Sequence, residues 1–373
     1  MPSRSKKRIV IDVRESGTST GRYVDKFIEH LHSLSPDLEI MMLAKSHRLT
    51  YLRTIAPEFQ VIETPFEYFT FGEQLGFKDQ IKNLKPDLVH FTMVQQPIFY
   101  RGTVVTTMHD LTRIRFNNPA MNPLVFAIKH AIYTQVNKRV AKKSQAIITP
   151  SQFVKDDIVA YTNINPDKIT VTHEAADRIA DEPKPLQRLD GKEFIMYVGT
   201  PHVHKNLENL ILAHSKILQT HPDLILALMG KQDENYKRIE HFAREHEVKN
   251  IVFTGFVSES ELRWSYEHCR AYIFPSLSEG FGLPSLEAMI HGAPVVCSNS
   301  TCLPEINGSA ARFFNPLDIN DMADKITEVI DNEDTRRFLI ERGYKQVTKY
   351  SWDKMAEQTL AIYHKLLQEN DSA

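Results

Sequence analysis

Apolar residues in this chain fall into short unbroken runs, and the runs alternate with longer stretches that have a helical period. In the first half, residues 9–12, 39–44, 60–63, 87–92, 103–108, 146–149 and 169–172 read as strands. Consecutive apolar positions suit strands buried on both faces, as in a parallel sheet. Between them, Tyr23, Phe27, Ile28 and Leu31 mark one face of a helix after a turn bracketed by Gly17 and Gly21. Residues 72–84, 122–143 and 153–161 read as further helices, the last capped by Ser151. Strand–helix alternation of this kind predicts a right-handed, doubly wound sheet.

The pattern stops at residues 177–192, which hold Pro183, Pro185, Gly191 and many charges without an apolar period. That composition predicts an exposed inter-domain linker. The alternation then restarts with strands at 194–198, 224–229, 251–254, 271–274 and 294–297. Helices follow at 207–220 and 236–246, from Ser258 with a capping-type start, from Asn320 and Asp321, and at 352–368. The expected organisation is residues 1–180 as an N-terminal Rossmann-like domain and 181–351 as a C-terminal Rossmann-like domain. Residues 352–373 form a helix expected to cross back to the first domain. Ligands of such sheets bind beyond the carboxyl ends of the strands.

Bulk composition narrows the class. A chain of 373 residues exceeds one ordinary core, and 42% hydrophobic with 25% charged residues is an ordinary globular profile. A formal net charge of −2 argues against a dedicated nucleic-acid binder. Cys269, Cys297 and Cys302 lack metal-site spacing, and their odd number suggests free thiols in a reducing compartment. The basic start leads into an apolar run too short for a signal peptide, and no run is long enough to span a bilayer.

Candidate chemistry centres on residues 275–294. Gly280 and Gly282 break the chain after a strand, Pro284 suits the first position of a helix, and Gly292 marks its stop. A strand, glycine loop and helix in this order point unpaired backbone N–H groups at an anion such as phosphate. Glu279 in the loop and Glu287 in the first helical turn are poor phosphate ligands but good acceptors for sugar or ribose hydroxyls.

This stretch, Ser-Glu279-Gly-Phe-Gly-Leu-Pro-Ser-Leu-Glu287-Ala, resembles the Glu-x7-Glu signature of the family 4 glycosyltransferases, with flavour closest to bacterial mannosyltransferases of polysaccharide or glycolipid assembly. Supporting pieces are Gly21-Arg22-Tyr23, His109-Asp110-Leu111, Pro150-Ser151-x-Phe153, Val198-Gly199-Thr200, Lys205-Asn206-Leu207 and Gly255-Phe256-Val257, so the resemblance covers nearly the whole chain. It implies a GT-B fold, two Rossmann-like doubly wound α/β domains facing a central cleft, with 1–180 as the acceptor domain and 181–351 as the nucleotide-sugar donor domain. It also implies roles: Glu279 toward the donor sugar, Glu287 toward the ribose, and the backbone of Gly280, Phe281, Gly282 and Leu283 around the diphosphate. Lys205 would neutralise the leaving diphosphate, and His109 would contact the donor sugar. Thr200, Lys231 and Val257 complete the expected donor side; Gly21, Arg22 and Tyr23 are expected at the acceptor or cleft, although Tyr23 also fits the core of its helix. Where the family commonly has an Arg before the Lys, this chain has His204.

The resemblance implies a retaining hexosyltransferase, with mannose from GDP-mannose as the leading donor and a saccharide or lipid-linked acceptor. A UDP-sugar glucosyl- or N-acetylhexosaminyltransferase is the alternative. A sugar-nucleotide epimerase, or a non-catalytic nucleotide-sugar-binding subunit, is a further one. No cofactor is expected: no Asp-x-Asp motif is evident, so the enzyme is expected to be metal-independent. The basic positions Lys129, His130, Lys138, Arg139, Lys142 and Lys143 read either as a solvated helix face or as a patch for an anionic membrane. The expected location is the cytoplasm, peripheral on the inner face of the membrane.

Overall fold

The computed structural model describes residues 6–18, 20–116 and 123–372. Met1–Ser5 of the basic start, and Asn122 where the long helix was expected to begin, lie outside the described residues. Two units result. The chain leaves the first at Glu174 and re-enters it at Ser351; Ala175–Tyr350, together with Arg115 and Phe116, makes the second.

In the first unit, strands β1 (Arg8–Asp12), β2 (Glu39–Ala44), β3 (Gln60–Glu63), β4 (Leu88–Phe91), β5 (Val104–Thr107), β6 (Ala146–Thr149) and β7 (Ile169–Val171) form one sheet. Their order is β3-β2-β1-β4-β5-β6-β7, and every neighbouring pair is parallel. Ile9, Val10 and Ile11 are wholly buried, which accounts for the unbroken apolar run of β1. Val10 packs with Leu43, Phe77, Val89 and Phe91 on one side of the sheet. The terminal helix Trp352–Ser372 packs on the helix Gly21–Ser33. It is tied to the sheet by Tyr363, whose hydroxyl meets His90 Nδ1 at 2.5 Å.

In the second unit, β8 (Phe194–Val198), β9 (Ile225–Met229), β10 (Ile251–Gly255), β11 (Ala271–Phe274), β12 (Val295–Ser298) and β13 (Ala311–Phe314) form a parallel sheet in the order β10-β9-β8-β11-β12-β13. In each sheet the chain reverses its winding direction once, at β1/β4 and at β8/β11. A doubly wound sheet opens a ligand crevice at such a reversal, beyond the carboxyl ends of the two strands.

Three expectations are refined. Residues 177–192 are largely exposed, as their composition predicts, but they are bonded to the second unit. Leu189 is wholly buried, Ile179 N–H donates to His291 Nε2 at 3.0 Å, and Arg263 Nη1 donates to Asp181 O at 2.8 Å. The segment is strapped to the second unit through backbone groups that its composition does not advertise. The single helix expected over 72–84 is present, but it opens with a π-helical turn, Glu73–Phe77, before Lys78–Asn83. The first residue of that turn points inward to Arg14, a buried guanidinium 2.9 Å from Glu73 and 2.7 Å from Asp12 that lies against the rings of Tyr68 and Phe77. An extra residue in the helical ladder at such a contact is the usual signature of a π-bulge. Lastly, β13 and the helix Glu333–Val347 were not expected at all.

Candidate active site

The glycine loop after β11 runs into the helix Leu283–Ile290, with Gly282 as its N-cap. Gly282 has φ 95°, a conformation that favours glycine, and a Cβ there would come within 2.7 Å of Leu303 Cδ2, which would have to shift. Among the described residues, the N–H groups of Gly282 and Leu283 donate to no protein acceptor. They are the orphan donors of a helix N-terminus, with the helix dipole behind them. Pro284 occupies the second helical position rather than the first, and Glu287 is the fifth residue, one position further in than expected and just past the first turn. Gly292, with φ 77°, ends the helix as predicted.

Lys205 and Glu279 lie 74 positions apart and form an ion pair, Nζ to Oε1 2.6 Å, with their side chains 20% and 12% exposed respectively. The turn bearing Lys205 follows β8, and hydrogen bonds hold it against the loops after β11 and β13. Leu277 N–H donates to His204 O at 2.7 Å, and Asn206 Nδ2 donates to Pro275 O at 3.2 Å and Pro316 O at 2.8 Å. Asn206 adopts φ 60°, the left-handed geometry that caps this turn and starts the helix Leu207–Ile217. His204 is the residue that stands in place of an Arg. Burial, with Lys205 and His202 adding to it, lowers its pKa to about 3. It is therefore neutral at ordinary pH and adds no positive charge to the site.

The remaining donor-side candidates follow from strand order. Val257, Lys231, Thr200 with Lys205, and Glu279 come after β10, β9, β8 and β11, four strands adjacent in the sheet. Parallel pairing sets all of them along one edge. Thr200 and Lys231 are exposed and Val257 is half-buried. Phe281 is 4% exposed and meets Tyr350 edge-on at 5.5 Å, so its side chain anchors the loop while its backbone stays at the helix entrance.

The first-unit candidates form a separate cluster. Tyr23 is buried, its hydroxyl 3.1 Å from Thr107 Oγ1 and its ring edge-on to His109 at 4.8 Å. It is the first core residue of its helix. Gly21 begins that helix, and a Cβ there would fall 1.9 Å from Glu15 O, so a close backbone approach requires this glycine. Arg22 is half-buried beside them. His109 Nε2 donates to Thr92 O at 3.1 Å, while Nδ1 lies 3.5 Å from Glu174 Oε1. Burial alone would lower the pKa of His109, but the hydrogen bond and charge of Glu174 outweigh it and the net shift is upward. With a carbonyl on one nitrogen and a carboxylate on the other, this ring is set up as an imidazolium.

Sequence reasoning missed Glu174, Thr301 and Cys302. Glu174 lies three residues beyond β7, the edge strand of its sheet, and that position was its available signal. Thr301 Oγ1 accepts the Glu279 N–H at 3.1 Å, and Cys302 Sγ donates to Glu279 O at 3.2 Å. Of the basic helix Pro123–Lys143, Lys143 Nζ donates inward to Pro97 O at 2.8 Å, and burial lowers its pKa to about 8. His130 Nε2 donates to Ile114 O at 2.7 Å, and Lys138 sits over the Tyr161 ring; Lys129, Arg139 and Lys142 remain exposed.

Two family models match this chain along its length: Glycosyltransferase Family 4 over residues 20–178, and Glycosyl transferases group 1 over 179–346. The chain is 31% identical over 274 residues to O-antigen chain mannosyltransferase B of Escherichia coli, covering 69% of each protein. It belongs to the family 4 glycosyltransferases. A longer match, 26% over 356 residues, joins this glycosyltransferase to O-antigen chain mannosyltransferase RfbU of Salmonella typhimurium, with 92% of this chain and 95% of that one covered. Sucrose-phosphate synthase from Thermosynechococcus elongatus has the same fold, with TM-score 0.76 at 18% identity over 98% of this chain and 100% of the other. The fold is thus GT-B, two parallel-sheet α/β domains, as the motifs implied. Among the described residues, no helix of the glycosyltransferase is long and apolar enough to cross a membrane.

Proposed function

We propose that this glycosyltransferase moves a hexose, mannose from GDP-mannose, with retention, onto a saccharide or lipid-linked acceptor in surface polysaccharide assembly. The observation that carries the donor assignment is the Lys205–Glu279 pair beside the open N-terminus of Leu283–Ile290. One cation and orphan N–H groups suit a diphosphate, and the adjoining carboxylate suits sugar hydroxyls. The mannose assignment is supported by the names of the two relatives. Glu279 is spoken for by Lys205 and His109 by Glu174, so neither is disposed as a free general base. Retention through departure and attack on one sugar face fits that arrangement, with the leaving phosphate oxygen taking the acceptor proton. Catalysis then rests on positioning and on Lys205 stabilising the charge that develops on the diphosphate. In this reading Lys205 does the work of a divalent metal, and the enzyme needs none. Glu287 accepts from the ribose, while Gly280 and Phe281 lend backbone to the diphosphate. Lys231 and Val257 border the base, and Arg22 borders the acceptor. The enzyme works in the cytoplasm at the inner membrane face, reached through exposed Lys129, Arg139 and Lys142.

A thermal-shift panel of GDP, UDP, ADP and their sugars tests the donor. GDP and GDP-mannose should raise the melting temperature most, since a ligand that binds only the folded state stabilises it. Transfer from GDP-mannose should persist in EDTA. A preference for UDP sinks the mannose assignment, and activity lost in EDTA and restored by Mg²⁺ sinks the metal-free one.

A further inference from the structure

The loop after β12 holds a residue in a conformation that its side chain disfavours. Thr301 is β-branched, yet its φ is 54°. In this left-handed region a branched Cβ crowds the backbone, and glycine is the ordinary occupant. Such strain persists where the surroundings over-determine it, and it concentrates at functional sites. Here the hydroxyl accepts the backbone N–H of Glu279 at 3.1 Å. The adjacent Cys302, wholly buried, donates its thiol to the carbonyl of the same residue at 3.2 Å. Two consecutive side chains of one loop therefore pin both backbone polar groups of a residue on another loop. Pinning N–H and C=O together fixes the direction in which Glu279 leaves the backbone. From there its carboxylate reaches Lys205 Nζ at 2.6 Å.

We propose that Thr301 is a positioning residue for the reaction: by accepting the Glu279 amide, its hydroxyl aims that carboxylate at Lys205 and the donor sugar. The proposal rests on the donor role given to Glu279 above, and it explains why a strained threonine stands where a glycine would fit at no conformational cost. A glycine has the backbone but no acceptor. Valine has the shape but no acceptor, and serine keeps the acceptor.

The test uses the whole protein with Thr301→Val, Thr301→Ser and Thr301→Gly. Turnover and KM are measured with GDP-mannose, and GDP affinity by calorimetry. Thr301→Val should lower kcat by about tenfold or more with no loss of GDP affinity, because a small loss of aim at the reacting centre costs rate before binding. Thr301→Ser should restore most of the rate, and Thr301→Gly should not, although it relieves the strained φ. A parallel fall in kcat and GDP affinity, or a serine variant as slow as valine, overturns the proposal. A second readout needs no nucleotide: the rate at which Lys205 is acetylated by acetic anhydride, followed by mass spectrometry. Loosening Glu279 should expose the Lys205 amine, so Thr301→Val should be modified several-fold faster than wild type and Thr301→Ser at the wild-type rate. Equal rates in all variants overturn the positioning role. Wild-type protein that neither binds GDP nor turns over GDP-mannose would sink the donor reading alone, since the acetylation comparison stands without it.

Discussion

Replacing Glu279 by glutamine keeps the size of the side chain and one oxygen acceptor while removing its charge. The structure makes that change informative, because the carboxylate holds Lys205 Nζ at 2.6 Å. At that separation the raw attraction is about 6 kcal/mol for an effective dielectric near 20 and about 1.6 kcal/mol in bulk water. With both groups mostly but not wholly buried, the pair lies between these limits before desolvation is subtracted. A diphosphate oxygen that shares Lys205 sits on the other side of Nζ, about 5 Å from the carboxylate, where repulsion is about 1–3 kcal/mol per unit charge. Glu279→Gln should therefore bind GDP at least about fivefold more tightly than wild type, since 1 kcal/mol is roughly that factor. It should also transfer sugar about a hundredfold more slowly, having lost the charged acceptor for the sugar hydroxyls. Calorimetry with GDP and initial rates with GDP-mannose read the two effects separately. Lys205→Met should weaken GDP binding, and the gain from Glu279→Gln should shrink in the double variant, because the freed cation is absent. Added salt should narrow the difference between wild type and Glu279→Gln. An unchanged or weaker GDP affinity in Glu279→Gln refutes the reasoning: the carboxylate is then neither restraining Lys205 nor near the phosphate.

The His109–Glu174 contact makes a pH prediction whose sign can be worked out. Because the folded pKa of His109 is raised, its stabilising contribution is complete below the unfolded value of about 6.5 and is lost as pH rises through the folded one. In Glu174→Gln burial dominates, the ring folds neutral, and stability is lost instead as pH falls below about 6.5. The wild-type advantage in melting temperature should thus be largest near pH 5 and shrink toward pH 9; a constant difference excludes the ion pair. For the membrane assignment, Lys129→Glu/Arg139→Glu/Lys142→Glu should abolish co-sedimentation with vesicles containing phosphatidylglycerol at low salt, each lysine or arginine being worth about 1 kcal/mol at such a surface. Wild-type protein that stays in the supernatant leaves these residues as a solvated face.

What the sequence disclosed, and what it concealed, divides along a physical line. Strands such as Ile9–Val10–Ile11 were legible because burial on both faces forces an apolar run. β13 was not legible: it is a four-residue edge strand interrupted by Arg312, whose guanidinium turns outward to Glu328. The helix Glu333–Val347 buries few side chains, so little apolar period survives in it. Residues 177–192 were legible as exposed but not as bonded, for a related reason. Polar composition reports exposed side chains, whereas the strap to the second unit is made by the Ile179 amide and the Asp181 carbonyl, which every residue type carries. The site divides in the same way. Gly282 and the two glutamates could be found because a left-handed backbone and a pair of carboxylates restrict residue type. The Lys205–Glu279 pair could not, since its members are 74 positions apart and each is ordinary alone. Thr301 and Cys302 lay deeper still, because they act on the backbone of Glu279 rather than on its side chain. A residue that holds another residue's peptide groups needs only an acceptor or a donor in the right place, so its type says little until the chain is folded. Where a site's aim depends on such contacts, the reactive groups can be read in advance but the residues that point them cannot.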